Sequence, residues 1–308
     1  MTKNSTNTVV IAGFGYLGQF IGETLLTQGT RVVALRRAAQ TLKPCASFRH
    51  YSVDFDVTIS TLPLPDTHFD VIYLVPPNTK NNTKNDTENH NKDTRLTRFL
   101  CALRQKPQRL IYISTTGIYG DCQGEWVNES RKHNPTTGRA KKRLAAEGQV
   151  TSYCKAHQIN AIILRVAGIY GPGRLPLQRI IEAKPVLCAE DASFSNRIHV
   201  EDLRDICIAA LSSNTKQLLL NVADGAPCSI TDYIYRVADL AKLKRPPCVK
   251  RADAEKSFSA SMLSYLNESR KIDNSKLLKT LAITLRHSDL SSGIMHSLAG
   301  ENKSPITK

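Results

Sequence analysis

Three glycines near the amino end, Gly13, Gly15 and Gly18 in GFGYLG, have the spacing that brings main chain against a phosphate. The first glycine of such a loop makes a tight turn, the second lets backbone approach a pyrophosphate, and the third lets a helix pack close to a sheet. The run Gly13, Phe14, Gly15, Tyr16, Leu17, Gly18 then opens a helix, whose first N–H groups and dipole favour an anion. Roughly 20 residues further on, an acid would hold a free ribose 2′-hydroxyl. The sequence has Arg36 and Arg37 there, and no acid. A guanidinium pairs with a 2′-phosphate, so NADP(H) is favoured over NAD(H) as the cofactor. Asp54, after a third apolar run, is placed to meet the adenine edge. The plainer alternatives are a glycine-rich turn and two arginines that face water.

These residues need a scaffold, and the chain supplies one. Short apolar runs at Thr8–Ala12, Arg31–Leu35, Phe48–Phe55, Phe69–Val75, Arg109–Ser114 and Asn160–Gly168 read as strands. Leu17, Phe20, Ile21 and Leu25 line one face of a helix that Gly29 closes. Further helices are expected over Thr94–Gln105 and Gly138–His157. Strands alternating with helices predict an α/β fold, a Rossmann-type doubly wound parallel sheet covered on both faces. The polar tract Pro76–Thr94 reads as a surface loop after the fourth strand.

Further motifs follow in order: ISTTGIYGD, LRVAGIYGPGR (Leu164–Arg174), NRIHVEDL (Asn196–Leu203) and NVADGAP (Asn221–Pro227). Together with the glycine loop they resemble the extended short-chain dehydrogenase/reductase family, the NAD(P)-dependent epimerase/dehydratase group, over about residues 8–300. The resemblance implies a Rossmann domain over residues 1–170. It implies a smaller C-terminal substrate domain, mainly residues 171–308, interleaved with the last Rossmann elements. It puts Thr115 at the position of the catalytic Ser or Thr and Arg197 and His199 near the substrate, with His199 mainly architectural. It also implies homodimers formed through paired helices.

The family's proton donor is a Tyr followed four residues later by Lys, and then by Glu after four more. The i, i+4 spacing puts the two on one helix face, and the Lys charge lowers the Tyr pKa. Counting back from Glu147 gives Arg143 for Lys and Arg139 for Tyr. Arginine does not give up its proton. It can hold a phosphate or carboxylate or stabilise an oxyanion. Lys142 lies about 100° around the helix. The sequence therefore resembles the atypical members of the family, in which the NADP site is kept and the catalytic tetrad is degraded. Asn91 or Asp93 falls near the family's upstream Asn. Asp121, Glu125 and Glu129 are alternative acids, on a loop that Trp126 would anchor, and Tyr119 reads as a core aromatic.

The 308 residues carry a net charge of +15, which favours anionic partners such as phosphorylated sugars and nucleotides. No zinc finger, RNA-recognition signature or basic zipper accompanies the charge, so nucleic acid is not the expected partner. No apolar run is long enough for a membrane span. The eight cysteines show no CxxC spacing, which predicts reduced thiols and a cytoplasmic setting. Two functions fit. The first is an NADP(H)-dependent oxidoreductase or epimerase-like enzyme for an anionic sugar nucleotide or small metabolite. The second is a non-catalytic NADP(H)-binding sensor or scaffold.

Overall fold

The computed structural model describes residues 7–37, 45–65, 68–78, 92–213 and 215–301. Seven strands form its main sheet: β1 (Thr8–Ala12), β2 (Arg31–Arg36), β3 (Phe48–Ser52), β4 (Phe69–Tyr73), β5 (Arg109–Thr115), β6 (Asn160–Val166) and β7 (Gln217–Val222). Across the sheet they run 7-6-5-4-1-2-3. The pairings from β3 through β2, β1 and β4 to β5 are all parallel. Strand order reverses at β1 and β4, and the crevice at such a switch point is where doubly wound sheets bind ligands.

Every residue of β1 and β4 is buried, as expected for central strands covered on both faces. Helices of this framework include α1 (Tyr16–Thr27), α2 (Thr94–Cys101) and α3 (Gly138–Ala156). Leu17, Gly18, Ile21, Gly22 and Leu25 are buried on α1, while Gly29 follows it with φ +78°. Tyr73 packs against Phe55, Phe99 and Tyr112 in an aromatic cluster beside β4.

Several elements are shorter than their sequence patterns. α2 stops at Cys101 rather than Gln105, because Leu103 turns into the core. β4 ends at Tyr73, and the apolar run after β6 divides into a separate strand at Gly168–Tyr170. β7 was not foreseen, although QLLLNV has the composition of a buried strand. Of the polar tract, residues 79–91, Asn91 included, lie outside the described residues.

The chain divides into two compact units. The first holds the described residues of Met1–Ile118, Pro135–Arg165 and Arg204–Leu220; the second holds those of Tyr119–Asn134, Val166–Leu203 and Asn221–Lys308. The chain thus passes between the two units several times. The second unit is built on short strand pairs, including Gly168–Tyr170 with Arg197–His199 and Val186–Leu187 with Cys248–Val249. Tyr170, Ile180, Tyr233, Ile234, Val237 and Ile294 belong to its core. Gly120, with φ +68°, turns against the Asn134 carbonyl so closely that a side chain there would collide with backbone.

One expectation is corrected in this unit. Cys188 and Cys248 form a disulfide, with Cα atoms 4.9 Å apart. Two half-cystines 60 residues apart carry no sequence sign of pairing, and it is the parallel pairing of their strands that brings them within bonding range. The other six cysteines are free. Among the described residues, no helix is long and apolar enough to cross a membrane.

Candidate coenzyme site and its surroundings

The glycine loop leaves β1 at the switch point. Gly13 has φ +94°, and a Cβ on it would lie 2.9 Å from the Val75 amide nitrogen after β4. Glycine is the residue that both the dihedral and the close approach allow. Gly13 and Phe14 donate their amides to the Leu35 carbonyl, which ties the loop to the end of β2. Above Gly15 there is open space among the described residues: a Cβ added there would meet none of their atoms within 4 Å. Gly15 is also the N-cap of α1 and offers no side-chain cap, and a helix start of this kind favours an anion. A Cβ on Gly18 would stand 3.0 Å from the Gly13 carbonyl oxygen, which is the close helix packing that the motif requires. Phe14 and Leu17 turn their side chains into the core, and Tyr16 meets Phe20 edge-on at 5.3 Å. Phe14 and Leu17 therefore face the loop only through main chain.

Arg36 ends β2 half-buried, opposite Ser52 of β3. Arg37 is exposed and lies 3.7 Å from Asp56. Asp56 is the acid that sequence reading missed. Arg95 of α2 grips both its carboxylate oxygens, at 2.7 and 2.6 Å, and also donates to the Pro76 carbonyl. The Arg95 hydrogen bonds hold the Asp56 carboxyl below its usual range, against the opposing effect of burial. Asp54 is exposed and accepts the Asp56 amide in a tight turn. Arg95 was unreadable as its partner because 39 residues separate it from Asp56.

Thr115 closes β5, half-buried, and its hydroxyl accepts the Gly117 amide. Arg143 of α3 reaches the same strand end. It donates to the Ile113 carbonyl at 2.7 Å and the Tyr112 hydroxyl at 3.1 Å, with its guanidinium 5.6 Å from the Tyr112 ring centre. The fold thus brings Thr115 and Arg143 to one strand end. Arg139, one turn earlier on α3, is exposed. Lys142 donates to the Asn78 carbonyl at 2.8 Å. Burial pushes the Tyr112 hydroxyl up to about 12, although Arg143 pulls the other way. It is therefore unsuited to proton exchange near neutrality.

The remaining candidates have structural partners. Asp93 is buried and caps α2 by accepting the Leu96 amide. Asp121 accepts the Gln123 and Ser269 amides, Glu125 pairs with Arg131, and Glu129 accepts the Asn221 amide. Tyr119 is a core aromatic that donates to Asn221. Trp126 does not anchor its loop: it is 57% exposed, because its two-residue strand turns the ring outward while Val127 is buried. In the second unit, Arg197 is buried, stacks 3.9 Å from the Tyr233 ring centre and contacts Cys228. His199 is wholly buried there. A hollow of about 470 Å³ lies beside Thr8 and Arg31, at the amino ends of β1 and β2. The glycine loop is at the opposite ends of these strands.

A switch-point glycine loop without a capping side chain, on a 7-6-5-4-1-2-3 sheet, defines a protein of the Rossmann fold class. The family model for the NAD dependent epimerase/dehydratase family matches residues 9–223. The chain belongs to that family. It is 33% identical over 143 residues to the human dTDP-D-glucose 4,6-dehydratase, covering 44% of this chain and 41% of that protein. It is 28% identical over 155 residues to Protein YeeZ of Escherichia coli K12, covering 50% and 54%. The matches thus span about half the length of these relatives or less. Among solved structures, a functionally unknown conserved protein from Silicibacter pomeroyi superposes with a TM-score of 0.77 at 24% identity, covering 96% of this chain and 99% of that one. UDP-glucuronic acid 4-epimerase from Bacillus cereus, in complex with UDP-glucuronic acid and NAD, gives 0.77 at 20% identity, with the same coverage. At such identities the likeness is one of fold.

Proposed function

We propose that this chain is an NADP(H)-binding enzyme of the atypical extended type, acting on an anionic sugar nucleotide or a similar small metabolite. The observation that carries the reading is the open cradle over Gly15, with Arg36 and Arg37 at the end of the neighbouring strand. The start of α1 would hold the pyrophosphate, and the two arginines would meet the 2′-phosphate. Asp54 would lie toward the adenine. A bound nicotinamide supplies hydride exchange. Thr115 offers a hydroxyl at the end of β5 to orient a reacting oxygen. Arg143, held by β5, and Arg139 carry fixed positive charge suited to a substrate phosphate or carboxylate. Arg197 is proposed to serve a substrate bound at the second unit, where the buried His199 is architectural. The UDP-glucuronic acid bound to the Bacillus cereus epimerase and the dTDP-sugar enzymes among the relatives support a sugar nucleotide as substrate. A homodimer belongs to the same reading, and a cytoplasmic setting would require the Cys188–Cys248 disulfide to persist where thiols are ordinarily reduced.

The test is calorimetric titration with NADPH, NADP, NADH and NAD. The wild-type chain is expected to bind the phosphorylated pair more tightly. Arg36→Glu with Arg37→Ala removes one or two charge-assisted contacts, each about 1.5–3 kcal/mol. NADPH affinity should fall by about 10- to 100-fold or more, while NADH binding changes little. Equal loss for both nucleotides would place the arginines away from the 2′-phosphate.

One observation favours a second reading, a cofactor sensor or scaffold: arginines stand at both proton-transfer positions. Arg139→Tyr with Arg143→Lys separates the two. If the chain is an enzyme, the wild type oxidises NADPH with a UDP- or dTDP-linked keto sugar and the double variant loses that activity. If it is a sensor, the wild type is inert and the repaired helix gains turnover.

A further inference from the structure

The second unit contains a cluster that the coenzyme reading does not use. Glu201 lies in the first turn of a fourth helix, α4 (Val200–Leu211), and His296 lies on a fifth, α5 (Leu290–Glu301). His287 sits in the loop before α5. One Glu201 carboxylate oxygen is 3.0 Å from His287 Nε2 and the other is 3.2 Å from His296 Nε2. The two imidazole centres are 4.9 Å apart.

His199 stands behind them, its ring centre 3.9 Å from that of His287. Donor atoms of His199, Glu201 and His287 all fall within 4.8 Å of one another. The hydrogen bonds nevertheless remove His199 from the donor set. Its Nδ1 accepts the Glu201 amide. The single proton of Ser297 goes to the Gly293 carbonyl at 2.7 Å, so Ser297 Oγ accepts from His199 Nε2 at 3.2 Å. Both ring nitrogens are thereby engaged in a neutral tautomer, and His199 serves as a wall.

We propose that Glu201, His287 and His296 form a binding site for a divalent transition-metal ion of the zinc class. Two imidazoles and a carboxylate are a donor set that zinc accepts, and water can complete four-coordination. Ligands about 2.0–2.1 Å from a tetrahedral ion lie about 3.3 Å from each other. The two carboxylate–imidazole separations, 3.0 and 3.2 Å, one to each Glu201 oxygen, are close to that spacing. Each histidine would pass its Nε2 proton to Nδ1, a change of tautomer within a neutral ring. The donors are also held in advance. The buried Asp202 accepts the Arg286 amide at 2.7 Å and the His287 amide at 3.1 Å, which fixes the loop that carries His287. The His296 side chain is 50% exposed, so the site opens to solvent on its side. The ion would pin α5 to the start of α4.

The test uses the full chain, stripped with a chelator, in a Cys45→Ser, Cys101→Ser background that removes the two exposed thiols. Zinc titration should give one ion per chain and a raised melting temperature. Cobalt(II) should give visible d–d bands without the intense thiolate charge transfer of a sulfur ligand. His296→Ala, at a half-exposed position, and Glu201→Gln should each weaken binding by about tenfold or more. Absence of a stoichiometric ion, a thiolate cobalt spectrum, or unchanged affinity in either folded variant would overturn the proposal. Should a variant fail to fold, the wild-type stoichiometry and cobalt spectrum decide. Nicotinamide nucleotide is absent throughout, so the result is independent of the coenzyme reading.

Discussion

Glu147→Ala is expected to cost about 3–5 kcal/mol of folding stability, a large part of the roughly 5–15 kcal/mol of a typical domain. Glu147 is 6% exposed and Arg165 only 2%. The carboxylate receives Arg165 at 2.8 Å and the Ser114 hydroxyl at 2.5 Å. One buried side chain of α3 thereby locks the helix to both β5 and β6. Truncation leaves the Arg165 charge without its counter-ion and strands the Ser114 hydroxyl. Urea unfolding checks the size of the effect. Replacing both partners by apolar residues, Glu147→Leu with Arg165→Met, should recover much of the loss, because no uncompensated charge remains. A shift below about 1 kcal/mol in the single variant would mean that water reaches Arg165.

The second large effect is a pH dependence set by Asp224. Burial pushes this carboxyl from its ordinary 3.8 to about 7, although the Ala226 amide and the Arg197 charge pull it down. Its Oδ1 accepts the Ala226 amide at 3.0 Å, and its Oδ2 has no hydrogen-bond partner among the described residues. Between those two values the folded chain holds a proton that the unfolded chain has released. Stability therefore falls as pH rises from about 4 through 7. At 1.36 kcal/mol for each unit of pKa, the loss approaches about 4 kcal/mol above neutrality. Asp224→Asn cannot ionise. It should be about 2–4 kcal/mol more stable than the wild type at pH 8 and nearly equal to it at pH 4. Urea midpoints across that range measure this. A variant less stable than the wild type at pH 8 would show that Asp224 is ionised in the fold and rewarded by Arg197.

The same two residues show how far the sequence could be read. Glu147 was legible as a register mark, eight residues after Arg139, because helix periodicity is local. That it locks α3 to the sheet was not legible, since its partners Ser114 and Arg165 lie 33 and 18 residues away. Asp224 belonged to a recognisable motif, yet nothing in NVADGAP announces a carboxylate buried without a partner for one oxygen. Asp56 and Arg95 were passed over for the same reason: an ion pair between distant residues leaves no spacing signature.

What the sequence by itself determined is local: the glycine loop, the strand before it, the helix after it and the paired arginines at the end of β2. Each rests on contacts within a few residues, where backbone sterics and side-chain period suffice. The tertiary structure alone decided which distant groups meet. It joined Cys188 to Cys248, turned Trp126 to solvent, gave Asp121, Glu125 and Glu129 structural partners, and gathered His287 and His296 around Glu201. Apart from Glu125 with Arg131, these pairings arise where the chain returns to itself after 60 residues or more, and burial at that meeting point sets their charge and chemistry.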